Sequence, residues 1–156
     1  MMIYIGADHR GFELKEKLKK RLEDEGWQVT DLGNDHLDPN DDYVDFAKKV
    51  AEATIQLPDN RGVVLCGSGA GVDMVANKIP GIRSALAFDI YRTKQAREHE
   101  NANVLSLPAD ILDEDSAWQM VEVFLKTPFS GQDRHIRRLE KIEDVEDEYE
   151  EHHLED

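Results

Sequence analysis

The stretch GVVLCGSGAG at residues 62–71 decides the fold. Its first half is a continuous apolar run, which is typical of a parallel strand that helices cover on both faces. Its second half has glycine at three alternate positions, where the backbone turns sharply and opens a helix. A buried strand followed by a glycine-rich turn and a helix is a unit of an α/β protein.

The same alternation of short apolar runs and longer amphipathic segments extends along the whole chain. The strands that it predicts are residues 2–6, 29–32, 62–66, 84–88 and 104–107. The predicted helices are residues 11–25, 43–55, 89–99 and 113–126, a short helix that follows the glycine-rich loop and runs toward residue 77, and a last helix from near residue 132 into the tail. This order predicts a three-layer α/β/α sandwich with a five-stranded parallel sheet, Rossmann-like or flavodoxin-like.

Composition predicts one cytoplasmic domain. The chain has 156 residues, of which 40% are hydrophobic, enough for one continuous core. A single cysteine suits a reducing compartment. No apolar run approaches the roughly 20 residues that cross a bilayer, and the start lacks the basic segment of a signal peptide. We therefore expect no membrane association.

The net charge of −15 is unevenly distributed, since the segment from residue 141 onward carries a local charge of −8. We expect a single domain over residues 1–142 that includes a C-terminal helix, and an acidic helical or disordered tail over residues 143–156. The tail is either a solvated helix end or a docking segment for another protein. An acidic body repels phosphate backbones, so nucleic acid is not an expected partner.

Ligands of open parallel sheets bind beyond the carboxyl ends of the strands, which selects Cys66 and its glycine loop. Amide N–H groups at the start of the next helix would hold an anion and favour the thiolate form of Cys66. The alternative is that Cys66 is only a small apolar residue at the end of a buried strand. Val72 replaces the third glycine of a dinucleotide fingerprint, and the loop at residues 6–11 lacks the Lys-Ser/Thr of a P-loop.

Asp8, His9, His99 and the pair Arg134 and Arg138 are further candidates. Asp8 and His9 follow the first strand, where they serve either as acid–base groups or as a helix cap beside a surface histidine. Arg134 and Arg138 lie one helical turn apart, so they either grip one phosphate or pair with nearby acids. No two histidines near Cys66 have metal-binding helical spacing.

Taken together, these segments resemble the family of type B ribose-5-phosphate isomerases and galactose-6-phosphate isomerase subunits. The matching segments follow the family's order and spacing from residue 2 to about residue 142. They are GADHRG at 6–11, DY at 42–43, CGSGAG at 66–71, ANK at 76–78, GIR at 81–83, His99 with NANV at 101–104, and Arg134-His135 with Arg138. Each segment is weak evidence alone, whereas the ordered set is specific.

The resemblance implies an aldose–ketose isomerase that interconverts ribose 5-phosphate and ribulose 5-phosphate through a cis-enediolate, without metal or cofactor. It implies a homodimer whose active sites borrow residues from the partner subunit, and it leaves open whether dimers pair into tetramers. Cys66 would be the base, while Asp8, His99 and Ser68 would serve ring opening and hydroxyl proton transfer. The implied substrate-binding residues are His9, Tyr43, Gly67, Gly69, Ala70, Gly71, Glu100, Arg134 and Arg138.

Two positions depart from the family's pattern, and a third is a position at which the family itself varies. Val72 stands where some members carry a glutamate base, Glu100 where the family usually has asparagine, and Asp110 where it tends to have arginine. Two acidic replacements near an anionic ligand weaken phosphate binding unless they face away. The sequence therefore leaves two alternatives open, namely an isomerase of another pentose or hexose phosphate (allose or galactose 6-phosphate type) and a non-catalytic sugar-phosphate-binding protein.

Overall fold

The structure, a computed structural model, describes residues 1–152 as five strands and six helices. The strands are β1 (Ile3–Ala7), β2 (Val29–Asp31), β3 (Arg61–Cys66), β4 (Ser84–Leu86) and β5 (Val104–Pro108). The helices are α1 (Phe12–Asp24), α2 (Tyr43–Thr54), α3 (Ala70–Ala76), α4 (Ile90–Glu100), α5 (Glu114–Lys126) and α6 (Asp133–His152). Strands and helices alternate through α5, as the hydrophobic pattern predicts.

The five strands form one parallel sheet in the order β2-β1-β3-β5-β4. The apolar run of β3 lies at the centre of the sheet. Flavodoxin-like sheets have the order 2-1-3-4-5, so β4 and β5 are exchanged here and β4 lies at the edge. Because β1 and β3 are neighbours and parallel, the loops that follow them meet at one edge of the sheet.

Alternate side chains of β3 enter two separate cores. Val63 and Leu65 belong to the larger core, which α1, α4 and α5 cover. Val64 and Cys66 belong to the smaller core on the opposite face, beneath α2 and α3. Helices therefore cover both faces of the sheet, and the predicted three-layer sandwich is confirmed. Cys66 ends its strand on the face of α2 and α3.

The observed element boundaries lie close to the predicted ones, with β4 shorter than expected. β4 ends at Leu86 because the chain then turns outward, leaving Phe88 exposed, and Asp89 begins α4. The Asp89 side chain accepts a hydrogen bond from the Arg92 backbone N–H at 2.7 Å, as expected of a helix cap. Gly26, the residue after the predicted helix 11–25, has φ +86°, a conformation that favours glycine and is common just past a helix end.

Helix α6 continues beyond residue 142 into the acidic segment. The carboxylate of Glu146 accepts a hydrogen bond from the Gly81 backbone N–H at 3.0 Å, so the acidic part of the helix contacts the body of the protein. Residues 153–156 of the predicted tail lie outside the described residues. Within residues 1–152, no helix combines the length and apolarity that crossing a membrane requires.

Candidate active site

A cavity of about 310 Å³ opens at the carboxyl edge of the sheet, between the loops that follow β1 and β3. Its lining residues are Asp8, Arg10, Tyr43, Cys66, Gly67, Ser68, Gly71 and Met74. Six of these eight are residues that the sequence singled out, whereas Arg10 and Met74 are not. The cavity lies where open parallel sheets bind their ligands.

Cys66 contributes a thiol group to the lining of this cavity. Its side chain is only 4% exposed, and Sγ accepts a hydrogen bond from the Gly69 backbone N–H at 3.2 Å. This backbone donor holds the Cys66 side chain in one orientation, with its sulfur facing the glycine turn. Nearby Asp73 accepts a hydrogen bond from the Ser84 hydroxyl at 2.7 Å, so its carboxylate is engaged with β4. Burial raises the pKa of Asp73.

The turn after Cys66 depends on Gly69, which has φ +74°. A Cβ atom there would lie 2.6 Å from Leu86 Cδ1 and 3.0 Å from backbone atoms of Leu107 and Pro108. The ends of β4 and β5 therefore press directly on this turn, and only glycine fits. The next amide, of Ala70, donates to the Ser68 hydroxyl at 3.2 Å. Two loop amides thus have partners inside the loop.

Asp8 directly follows β1, lines the cavity and is 5% exposed. Its Oδ1 accepts hydrogen bonds from the backbone N–H groups of Arg10 and Gly11 at 3.0 and 3.2 Å. These bonds fix the carboxylate at the start of α1 while it still lines the cavity. Tyr43, the first residue of α2, lies against Gly71, where a Cβ atom would approach its ring carbons to 2.7 Å.

His9 lies beside the cavity and is held by Asp41, from the loop before α2. The ring Nδ1 of His9 lies 2.9 Å from Asp41 Oδ1, and the His9 backbone N–H donates to the same oxygen at 2.9 Å. The hydrogen bond with Asp41 raises the pKa of His9, with desolvation opposing it and Asp8 adding to it. His9 therefore stays protonated to higher pH than an isolated histidine.

Arg10 forms an ion pair with Asp110, which follows β5. The Arg10 guanidinium lies so close to the backbone of Gly67 that a Cβ atom on residue 67 would collide with it. Asp110 in turn donates its backbone N–H to the Gly67 carbonyl at 3.0 Å. Arg10 therefore supplies the positive charge nearest to Asp110, and the expected repulsion between Asp110 and an anionic ligand is locally compensated.

The remaining predicted site residues form a second group, the histidine–arginine cluster, on α4 and α6. It consists of His99, Glu100, Arg134, His135 and Arg138. The rings of His99 and His135 stack with centroids 4.4 Å apart, and the Ser130 hydroxyl lies 2.6 Å from His135 Nδ1. His135 is 2% exposed, whereas Arg134 and Arg138 are exposed. The stack therefore ties α4 to the start of α6.

Charges in this cluster influence one another. Burial lowers the pKa of His135, and the positive charges of His99, Arg134 and Arg138 lower it further. Desolvation raises the pKa of Glu100, while His99 and Arg138 counteract that rise. His135 is thus a neutral buried support, and Glu100 lies among cations, where its negative charge is partly compensated.

A single chain does not bring the two groups together. Cys66 ends β3 and lies opposite Pro108, the last residue of β5. His99 and Glu100 end α4, which returns the chain to the start of β5, so they lie at the amino edge of the sheet. Five residues of β5 span roughly 16 Å between the two edges. Within one chain, His99 therefore does not lie beside Cys66.

Sequence reasoning missed three residues of the site. Arg10 directly follows Asp8 and His9, and the same rule that selected those two residues applies to it. Met74 lies one helical turn after Ala70 at the cavity, a spacing that could have signalled it. Asp41 carried no local signal, because its partner His9 is 32 residues away in sequence.

The fold and the cavity define an open α/β protein with a cysteine at the ligand-binding edge of its sheet. A family model described as Ribose/Galactose Isomerase matches residues 3–142. The chain belongs to this family.

Curated relatives agree with that assignment. The chain is 40% identical to ribose-5-phosphate isomerase B of Mycolicibacterium paratuberculosis over 146 residues, which cover 94% of this chain and 92% of the relative. It is 43% identical to the probable ribose-5-phosphate isomerase B of Mycoplasma pneumoniae over 140 residues, covering 90% and 91%.

Solved structures match over nearly the same span. The crystal structure of ribose-5-phosphate isomerase B from Mycoplasma genitalium with bound ribulose-5-phosphate gives a TM-score of 0.91 at 40% identity, covering 94% of this chain and 97% of that one. The corresponding protein of Thermotoga maritima gives 0.87 at 41% identity, covering 92% and 97%. The likeness therefore extends over almost the whole chain in both sequence and fold.

Proposed function

We propose that the protein is an aldose–ketose isomerase that interconverts ribose 5-phosphate and ribulose 5-phosphate through a cis-enediolate. The observation that carries this proposal is the Cys66 sulfur, hydrogen-bonded by the Gly69 amide in a cavity shared with Asp8 and Ser68. Family membership and the names of the relatives support the substrate.

Cys66 is the base of the reaction. Its thiolate takes the proton from C2 of the open-chain aldose, and the electron pair of that C–H bond forms the C1–C2 double bond of the enediolate. The carbonyl oxygen at C1 gains negative charge and is protonated, while the C2 hydroxyl loses its proton as the ketone forms. The Cys66 thiol then returns its proton to C1, which restores the thiolate.

Asp8 and Ser68 line the same cavity and serve the hydroxyl proton transfers and the opening of the sugar ring. Tyr43 packs on the sugar. The loop at Gly67, Gly69 and Gly71 brings backbone close to the substrate, and amides of this loop stabilise the developing oxyanion without reorganisation. No metal or cofactor takes part in these steps.

A complete site requires a second copy of the chain. The histidine–arginine cluster contains the predicted residues His99, Glu100, Arg134 and Arg138, which one chain holds at the opposite edge of its sheet. Its cations provide what the cavity needs for a phosphate. In a homodimer the cluster of one subunit completes the cavity of the other, with His99 joining the proton transfers and the two arginines gripping the phosphate.

Exposed apolar side chains support a subunit interface at the cavity. Met74, Leu86, Phe88 and Tyr91 belong to segments at or near the carboxyl edge, and all are at least one-third exposed. Apolar groups of this size, exposed beside polar site residues, are typical of protein–protein contacts. We therefore propose a homodimer with two shared sites.

Ribose 5-phosphate is favoured over the alternative substrates. The relatives described above are named for it, and one related structure holds ribulose-5-phosphate. The acidic departures do not require another sugar, because Asp110 is paired with Arg10 and Glu100 lies near His99 and Arg138. We also propose a cytoplasmic location, since a catalytic thiolate needs a reducing compartment.

Hydrogen exchange in deuterated water tests the proposal. Incubation with ribose 5-phosphate should place deuterium at C2 of the aldose, detectable by loss of its proton signal in NMR spectra. The Cys66→Ala variant should reduce this exchange by at least about 1,000-fold, because it removes the only base that contacts carbon. Asp73→Asn is the matched control, since this neighbouring acid faces β4 and should keep most of the exchange.

Two results would contradict the assignment. If Cys66→Ala exchanges as fast as the unmodified protein, the base is another residue. If the unmodified protein binds ribose 5-phosphate tightly but exchanges no hydrogen, it is a binding protein and not an isomerase.

A further inference from the structure

We propose that Asp41 is a positioning residue that holds His9 in place as a cation for the substrate's phosphate, supported by a hydrogen-bonded chain that begins at buried Lys15. This inference rests on the proposed function, which gives His9 the phosphate. Neither Asp41 nor Lys15 has a role in the site as the sequence or the family resemblance describes it.

Asp41 fixes His9 at two points. One carboxylate oxygen, Oδ1, accepts the His9 backbone N–H and contacts the ring Nδ1, each at 2.9 Å. The Asp41 side chain is 7% exposed, whereas the His9 side chain is 33% exposed. A carboxylate that is shielded from water and bound to both the backbone and the ring sets the ring's orientation and leaves its outer part accessible.

The second oxygen of the Asp41 carboxylate also accepts a hydrogen bond, from the loop after β2. This oxygen, Oδ2, accepts it from the Asn34 side-chain Nδ2 at 2.8 Å. The backbone carbonyl of Asn34 accepts a hydrogen bond from Lys15 Nζ at 2.6 Å. The Lys15 side chain is 0% exposed and pairs with Asp31 at 2.9 Å. A buried ammonium group is costly unless it is paired, so Lys15 ties the loop after β2 firmly to α1. The chain Lys15–Asn34–Asp41–His9 is therefore preorganised.

This arrangement sets the chemistry of the His9 ring. A carboxylate at Nδ1 favours the imidazolium, in which Nε2 is also a donor and is available to a phosphate oxygen. The charged groups that face His9 are Asp41 and Asp8, which raise its pKa, and Arg10, which lowers it. Since the pKa is raised, the cation persists to higher pH. Its contribution to phosphate binding is lost only as the pH rises through that raised value.

The chain also contains a matched control pair on the same loop. His36 Nδ1 lies 2.7 Å from Asp35 Oδ1, and both side chains are largely exposed, at 71% and 95%. The hydrogen bond with Asp35 raises the pKa of His36 in the same way. His9 lies between the cavity-lining residues Asp8 and Arg10 in sequence, whereas neither His36 nor Asp35 is next to a residue that lines the cavity. Asp35→Asn therefore repeats the chemical change of Asp41→Asn at a place that has no role in the site.

The first measurement is the titration of the histidine ring protons by NMR in the full chain without substrate. In Asp41→Asn we expect the His9 pKa to fall by at least about half a pH unit, because the amide cannot stabilise the imidazolium as the carboxylate does. Asp35→Asn should shift only His36. An unchanged His9 titration in Asp41→Asn would overturn the proposal, whatever the enzyme's activity.

The second measurement is KM for ribose 5-phosphate near pH 6 and near pH 8, each divided by the value for the unmodified protein at the same pH. This ratio cancels the ionisation of the phosphate itself. For Asp41→Asn we expect the ratio near pH 8 to be about threefold larger than the ratio near pH 6, which is what a fall of about half a pH unit in the His9 pKa produces, with kcat changed by less than about threefold. For Asp35→Asn the ratio should stay near one at both pH values.

An equal rise of KM at both pH values would assign Asp41 a purely structural role and overturn the proposal, as would no rise at all. If Asp41→Asn does not fold, Asn34→Ala takes its place, because it removes the support of Oδ2 and keeps the carboxylate. It should shift the His9 pKa in the same direction by a smaller amount. Lack of any turnover in the unmodified protein would refute the proposed function, while the NMR titration would still test the Asp41–His9 contact.

Discussion

The cavity around Cys66 and the histidine–arginine cluster are built in opposite ways. In the cavity, backbone groups fix the reactive side chains, as with the Gly69 amide on Cys66 and two amides on Asp8. In the cluster, side chains contact one another: His99 stacks on His135, and the exposed Arg134 donates a hydrogen bond from Nε to His135 Nε2 at 3.4 Å. Proton transfer at carbon requires fixed geometry, whereas long cationic side chains can adapt to a phosphate.

The two regions also differ in charge, which explains how an acidic protein can bind an anion. The chain carries a net charge of −15. The cavity is lined by the acidic Asp8 and by Arg10, whose positive charge is paired with Asp110. Positive charge is concentrated in the cluster, at the other edge of the sheet. Within one chain, Cys66 is therefore separated from most of this positive charge, and the proposed homodimer would bring the two together.

The largest effect should come from Gly69→Ala, which would break the cavity and leave the cluster intact. The new methyl group would meet Leu86, Leu107 and Pro108, and φ is +74° at this position. We expect unfolding to become easier by about 2–4 kcal/mol and kcat to fall at least about 100-fold, because the Cys66 sulfur loses its position. Urea unfolding and initial rates measure the two effects.

Gly131→Ala is the control for backbone strain. Gly131 also has a positive φ of +65°, but a Cβ atom there meets nothing within 4 Å. It should cost only about 1 kcal/mol and leave kcat nearly unchanged. If both variants lose the same stability and activity, the close approach of β4 and β5 to the glycine turn does not matter.

A smaller effect should come from the charges beside the cavity, changed while the cluster stays intact. Arg10→Ala should raise KM for ribose 5-phosphate by about threefold to tenfold, since it leaves Asp110 unpaired beside the cavity. In the Arg10→Ala background, adding Asp110→Asn should recover most of that loss. Lys20→Ala, which breaks the exposed pair with Asp24 on α1, is the control and should leave KM unchanged. Failure of Asp110→Asn to restore KM would contradict the electrostatic account.

The fold was largely predictable because local patterns carry it. The apolar run at residues 62–66 predicted the strand β3, Gly26 follows the end of α1, and Asp89 caps the start of α4. The exchange of β4 and β5 in the sheet was not predictable, since order depends on how α4 and α5 pack on the larger core. The sequence pattern alone does not distinguish the two neighbouring arrangements.

The site was predictable where function follows strand ends and unpredictable where it depends on distant pairs. Asp8, Cys66 and Ser68 follow from the rule for carboxyl ends. The pairs of Arg10 with Asp110 and of His9 with Asp41 join residues 100 and 32 positions apart, and no local pattern marks them. The position of His99 follows from the direction of α4, which carries the chain away from the catalytic edge.

Mixing two inactive variants tests the shared site most directly. Cys66→Ala and His99→Ala are each expected to lose most activity, and a dimer that contains one chain of each has one site with both residues intact. After unfolding and refolding together, the mixture should recover about a quarter of the activity of the unmodified protein, since half of the dimers are mixed and each has one working site. If the mixture remains as inactive as its components while tagged chains demonstrate mixed dimers, the cavity and the cluster do not combine across subunits.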